Sequence, residues 1–219
     1  MELKGKKIVF LGDSITEGVG TSHISHVYWN VIGQRTGAEV HGYGISGTRI
    51  APQRFPTVER PWEDQYFASR VDKMEPDADV VVVFGGTNDF GHGDAALGTI
   101  TDRTNDSFYG ACHLLIQKII ERYPYAKVVV MTPMHRISED ETLYNEHGIR
   151  RMGSLQTYVD AIRYVADFYG LPVVDLYRNC PIQPRVELMR KLYMPDGLHP
   201  NDAGNMLIAD CLQTVLESL

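Results

Sequence analysis

Short apolar runs and longer amphipathic stretches alternate along this chain from one end to the other. Residues 7–11, 39–43, 78–84, 127–131 and 171–175 have the length of strands. Between them, residues 25–35, 108–123 and 152–169 space apolar side chains three and four apart, as one helix face requires. Val27, Val31 and Ile32 form that face in the first, and Leu115, Ile116, Ile119 and Ile120 in the second. Gly37, Pro124 and Gly170 supply the stops. A last helix follows Pro200 and carries Met206, Leu207, Ile208, Leu212, Val215 and Leu216 at helical spacing. Val80-Val81-Val82-Val83-Phe84 is unbroken, which predicts a strand buried on both faces at the centre of a parallel sheet.

One βαβ series predicts an α/β fold, a five-stranded parallel sheet between two helical layers, with 2-1-3-4-5 the simplest strand order. No repeat or linker divides the 219 residues, so a single domain over 1–219 is expected. Two long inserts, 91–106 and 133–151, each follow a strand and so belong at the sheet's carboxyl edge as lids or binding loops.

Composition narrows the function. A net charge of −7 with no block of Lys or Arg argues against nucleic acid or an anionic membrane as partner. No segment approaches the roughly 18 apolar residues of a membrane span. The apolar run after Lys6-Lys7 stops at Gly12, too early for a secretion signal. Cys112, Cys180 and Cys211 are odd in number and far apart, and read as buried thiols of a reducing compartment. The expectation is a cytoplasmic protein.

The chemistry-bearing residues sit where strands end. The first strand runs into Gly12-Asp13-Ser14, which presents a hydroxyl at the edge where open α/β sheets bind ligands. The second ends in Gly42-Tyr43-Gly44-Ile45-Ser46-Gly47, formally a G-x-G-x-x-G. It follows the wrong strand for a dinucleotide fingerprint, and no helix opens promptly after it. What remains is a bare backbone N–H, best supplied by Gly47. The third strand ends in Gly85-Gly86-Thr87-Asn88-Asp89 and offers the Asn88 amide. Ahead of the last helix stands Asp196-Gly197-Leu198-His199-Pro200, where Asn201 or Asp202 also suits a helix cap. A hydroxyl, an imidazole and a carboxylate are the parts of an acyl-transfer site.

Gly12-Asp13-Ser14, Ile45-Ser46-Gly47, Gly86-Thr87-Asn88-Asp89 and Asp196-Gly197-Leu198-His199-Pro200 resemble, in order, the four blocks of the SGNH (GDSL) hydrolases. That family consists of flavodoxin-like α/β/α esterases and lipases. The resemblance implies Ser14 as nucleophile, His199 as base and Asp196 as its orienter. It also implies Gly47 and Asn88 as oxyanion donors, to which the Ser14 N–H adds a third. Ile15 stands where the family's nickname has Leu, an apolar exchange, and Thr87 is an extra residue before Asn88.

No cofactor or metal is expected. His135, His147, Glu139, Asp140 and Glu141 lack metal-ligand spacing and read as a solvated lid, and Asp13 reads as structural. The G-x-S-x-G elbow of α/β-hydrolases is absent. Arg49, Arg54, Arg60 and His92 fall on loops at the predicted edge, near Trp29, Tyr43, Phe55, Trp62 and Phe90. Polar groups among aromatics suit a small-molecule ester such as an O-acetylated sugar. The alternatives are a lysophospholipase- or thioesterase-type acyl hydrolase, a carbohydrate O-acyltransferase using the same site, or a silent binding module.

Overall fold

The computed structural model describes residues 1–141, Tyr144 and residues 153–219. Strands β1 (Lys7–Gly12), β2 (Glu39–Gly44), β3 (Val80–Phe84), β4 (Lys127–Met131) and β5 (Val173–Val174) pair in parallel in the order β2-β1-β3-β4-β5. That is the predicted α/β/α architecture. Alternation along each strand explains the three layers. Val9, Leu11, Val81, Val83, Val128 and Val130 pack to one side with α3 (Phe67–Arg70), α5 (Phe108–Arg122) and α6 (Leu155–Phe168). Ile8, Phe10, Val80, Val82, Phe84 and Val129 pack to the other with α2 (Tyr28–Thr36) and α9 (Asp202–Ser218). Both faces of β1, β3 and β4 are covered, which is why these strands carry no polar residue beyond Lys7 and Lys127 at their starts.

The main helices lie within a few residues of their predicted bounds. Four short ones at the carboxyl edge carry no sustained apolar period: α1 (Ser14–Glu17), α4 (Thr87–His92), α7 (Leu176–Asn179) and α8 (Glu187–Tyr193) complete the set with the one-turn α3. Strand β5 spans two residues instead of the predicted five: Pro172, with no N–H to donate, precedes it, and Asp175 already caps α7. Gly91 and His92 of the first insert belong to α4. The rest is pinned by a bridge between Ala96 and Ser107. Of the second insert, residues 142–143 and 145–151, including His147, lie outside the described residues, as does the predicted helix start at Met152. Among the described residues no helix is long and apolar enough to cross a membrane.

The end of β2 meets α1 almost backbone to backbone. A Cβ on Gly44 would stand 2.1 Å from the Glu17 amide nitrogen. Gly44→Ala is therefore expected to cost about 1–3 kcal/mol of stability, as overpacking does, measured by urea unfolding. Unchanged stability would contradict this packing.

Candidate active site

Gly12 ends β1, and Asp13 immediately caps a single helical turn. The Asp13 carboxylate accepts the Ile15 N–H at 3.1 Å. Ser14 becomes the first helical residue, where a backbone N–H has no intrahelical acceptor. Gly18, at φ 105°, closes the turn. Desolvation pushes the Asp13 carboxyl up to about 7, against the Ile15 N–H and the charge of Arg70. Asp13 is thus structural, as its sequence position suggested.

His199 reaches Ser14 from 185 positions away, with Nε2 3.0 Å from the hydroxyl. Its Nδ1 stands 2.7 Å from Asp196 Oδ2. The other Asp196 oxygen accepts the Leu198 and His199 N–H groups at 2.9 and 2.7 Å. Desolvation pushes the Asp196 carboxyl up, but these bonds outweigh it and hold the group below its usual range. An ionised Asp196 accepts from Nδ1–H, which leaves the Nε2 lone pair for the serine proton. Three tethers hold this loop. Gly20 packs so closely that a Cβ there would meet Pro200 O at 2.8 Å. Ser22 donates through its N–H and hydroxyl to Asp202, at 2.8 and 2.6 Å. The buried Asn205 amide donates to Pro200 O and accepts the Tyr28 N–H.

Gly47 and Asn88 come to the same edge. The N–H groups of Gly47 and Ser14 meet no acceptor among the described residues. Asn88 Nδ2 uses one N–H on Thr48 O at 3.0 Å and retains the other. Gly47 sits at φ 76°, with the Glu63 carboxyl 2.4 Å from where a Cβ would lie, so only glycine fits.

Buried ions that the sequence did not single out fix these loops. Arg70 donates to Tyr43 O at 2.8 Å, Gly12 O at 2.9 Å and Thr48 Oγ1 at 3.0 Å. One guanidinium thereby ties β1, β2 and the Gly47 loop together, and burial lowers its proton affinity to about 10. Asp89 accepts the Ile50 and Ala51 N–H groups, both at 2.9 Å, and so anchors that loop to α4. Desolvation pushes Asp89 up to about 6 despite these bonds and the nearby Arg49. No motif flags Arg70, since a lone Arg on a four-residue helix carries no spacing signal.

A cavity of about 380 Å³ opens above Ser14, lined by Ser46, Gly47, Asn88, Gly91 and His199 and by the side chains of Val19, Arg60, Glu63, His92, Arg136 and Leu198. Of the four predicted edge cations, Arg60 and His92 line it and Arg54 does not. Arg49 is 1% exposed and bonded to Asp64, Thr57, Glu63 O and His92, so its charge is structural. None of Trp29, Tyr43, Phe55, Trp62 and Phe90 lines the cavity. Phe90 is wholly buried, and Trp29 donates to Thr16 O. His135 pairs with a buried Glu139 at 2.7 Å, so that part of the predicted solvated lid is packed. No cluster of His, Cys, Asp and Glu suited to a metal occurs among the described residues.

The model of the GDSL-like lipase/acylhydrolase family matches residues 10–207. One solved structure is 34% identical, covering 100% of this chain and 99% of that one, with a TM-score of 0.84. A protein from Lactobacillus plantarum is 30% identical, covering 98% of each chain, with a TM-score of 0.81. An acetyl xylan esterase is 26% identical, covering 95% of this chain and 98% of its own, with a TM-score of 0.60. A comparison with curated proteins finds no match.

The raised Asp89 carboxyl carries a linkage with a definite sign. The folded chain binds that proton more tightly than the unfolded chain does, so stability is withdrawn as pH rises from about 4 towards 6. Asp89→Asn removes this linkage and leaves one buried N–H without its acceptor, at a cost of about 1–3 kcal/mol. Urea unfolding at pH 5 and pH 7 is expected to show the larger deficit at pH 5. A deficit that grows towards pH 7 would contradict the sign.

Proposed function

The chain belongs to the GDSL-like lipase/acylhydrolase family, is an ester-bond hydrolase, and from that premise we propose a serine esterase that removes small acyl groups, acetyl above all, from a polar or carbohydrate alcohol. The observation that carries this reading is the line Ser14–His199–Asp196, with gaps of 3.0 and 2.7 Å, at the floor of a cavity holding N–H donors. In the proposed reaction Ser14 Oγ attacks the ester carbonyl while His199 Nε2 takes its proton. Asp196 keeps Nδ1 protonated and offsets the charge of the imidazolium. The Ser14 and Gly47 N–H groups and the second Asn88 N–H receive the oxyanion of the tetrahedral intermediate. Collapse breaks the ester C–O bond, and His199 returns the proton to the leaving alcohol. Water then attacks the acyl-serine by the same steps in reverse order and releases the acid.

Among the described residues, Val19 and Leu198 are the aliphatic residues lining the cavity, against Arg60, Glu63, His92 and Arg136. A long acyl chain entering there would bury methylenes against charges, forfeiting the roughly 0.8 kcal/mol that each gains on burial in an apolar groove. The likeness to an acetyl xylan esterase supports the same preference.

Ser14→Ala is expected to fold like the parent and to lose about 10⁴-fold or more in kcat on p-nitrophenyl acetate; parental turnover would refute the nucleophile. Asn88→Ala is expected to lower kcat by about 10²–10³-fold with little change in KM. A loss confined to KM would make Asn88 a ground-state contact.

A further inference from the structure

The cavity holds a cation that the hydrolytic steps do not use. Arg136 reaches it from the segment after β4, with its guanidinium 5.5 Å from the centre of the Phe90 ring. Nη1 donates to Thr87 O at 3.1 Å and Thr87 Oγ1 at 3.3 Å. These bonds join Arg136 to the residue before Asn88. They leave the opposite edge of the planar group, Nε and Nη2, without an acceptor among the described residues.

Arg136 differs from the other arginines of the region in its charge partners. Arg60 pairs with Glu63 at 2.9 Å and Arg49 with Asp64 at 2.9 Å. Arg136 has no carboxylate within ion-pair distance among the described residues. Its Nε–H is shut off from solvent and meets no acceptor, whereas Nη2 is not enclosed in this way. Burial lowers its proton affinity, and the charges of Asp13, Asp196 and Glu141 only partly counter this, so a guanidinium with no ion-pair partner among the described residues lines the same cavity as Ser14. Nη2 keeps N–H groups that no acceptor among the described residues takes, and a carboxylate or phosphate in the cavity can accept a charge-assisted hydrogen bond from it.

Resting on the esterase reading above, we propose that Arg136 is a specificity-determining residue: the ester accepted here carries an anionic group, a carboxylate or a phosphate, that pairs with the guanidinium through Nη2 while Ser14 attacks the acyl carbon. The anion supplies the acceptor that the protein leaves out. It also fixes the ester relative to the Asn88 donor, because Arg136 and Asn88 are joined through Thr87.

The test compares kcat/KM for ester pairs of which one member carries an anionic group and the other does not. 4-Acetoxybenzoate against 4-acetoxybenzamide places a carboxylate on the alcohol side. 4-Nitrophenyl hemisuccinate against its methyl ester places it on the acyl side. 4-Acetoxyphenyl phosphate against phenyl acetate supplies the phosphate. Wild type is expected to favour at least one anionic member by tenfold or more, and the successful pair identifies the anion and its side. Arg136→Gln should bring that ratio near one, chiefly through KM, whereas Arg136→Lys should keep part of it and covers the event that the Gln variant does not fold. Ser14-dependent turnover of the neutral esters with no anionic preference would overturn the proposal and leave the esterase standing. An equal loss on both members of the favoured pair in Arg136→Gln would make Arg136 a scaffold and also overturn it. Absence of Ser14-dependent turnover on every ester would remove the esterase reading and this proposal together.

Discussion

A parallel sheet delivers the carboxyl end of every strand to one edge, and the contact between Ser14 and His199 depends on that constraint. Residues 185 positions apart must meet to within a hydrogen bond. No local interaction can arrange this, so it rests on the registers of β1 with β2 and β3, which place Gly12 beside Gly44 and Phe84. Arg70 then locks the edge by donating to the carbonyls of Gly12 and Tyr43, which lie at the ends of the two adjoining strands. A guanidinium suits the task because its planar fork spans several acceptors with one charge.

Buried charge organises the rest of the edge. Asp13, Asp89, Arg49 and Arg70 are all 4% exposed or less, yet each is tied to backbone groups or counter-ions. Those bonds offset only part of their desolvation, as the raised Asp13 and Asp89 carboxyls show, and their geometry is correspondingly unforgiving. The consequence is that irregular loops, which alone would sample many conformations, hold the Gly47 N–H and the Asn88 amide in place before any ligand arrives. Preorganised donors stabilise developing charge without reorganisation during the reaction. His199 is held from the other side, by Asp202, Asn205 and the close approach of Gly20.

Much of this is legible in the sequence because its signals are local. The β-branched runs specify β1, β3 and β4, and the apolar faces specify α2, α5, α6 and α9, as the structure has them. The Asp196-x-x-His199 spacing lets one turn bring a carboxylate to an imidazole. What stays hidden depends on contacts between distant segments. Arg49 and Arg60 look alike in the sequence, but one is enclosed by the loop it anchors and the other faces the cavity. The aromatics near the motifs turn inward or lie off the cavity, since proximity along the chain says nothing about the direction of a side chain. Arg136 carries no motif at all, and its role emerges only once Thr87 and Phe90 are seen beside it.

In the proposed reaction Ser14 forms the covalent bond and His199 activates it. The most direct measurement is intact-mass and peptide mass spectrometry after reaction with an alkyl fluorophosphonate. One adduct per chain is expected, on the peptide containing Ser14, with labelling slowed by orders of magnitude in His199→Ala. An adduct on another residue, or undiminished labelling of Ser14 without His199, would contradict it.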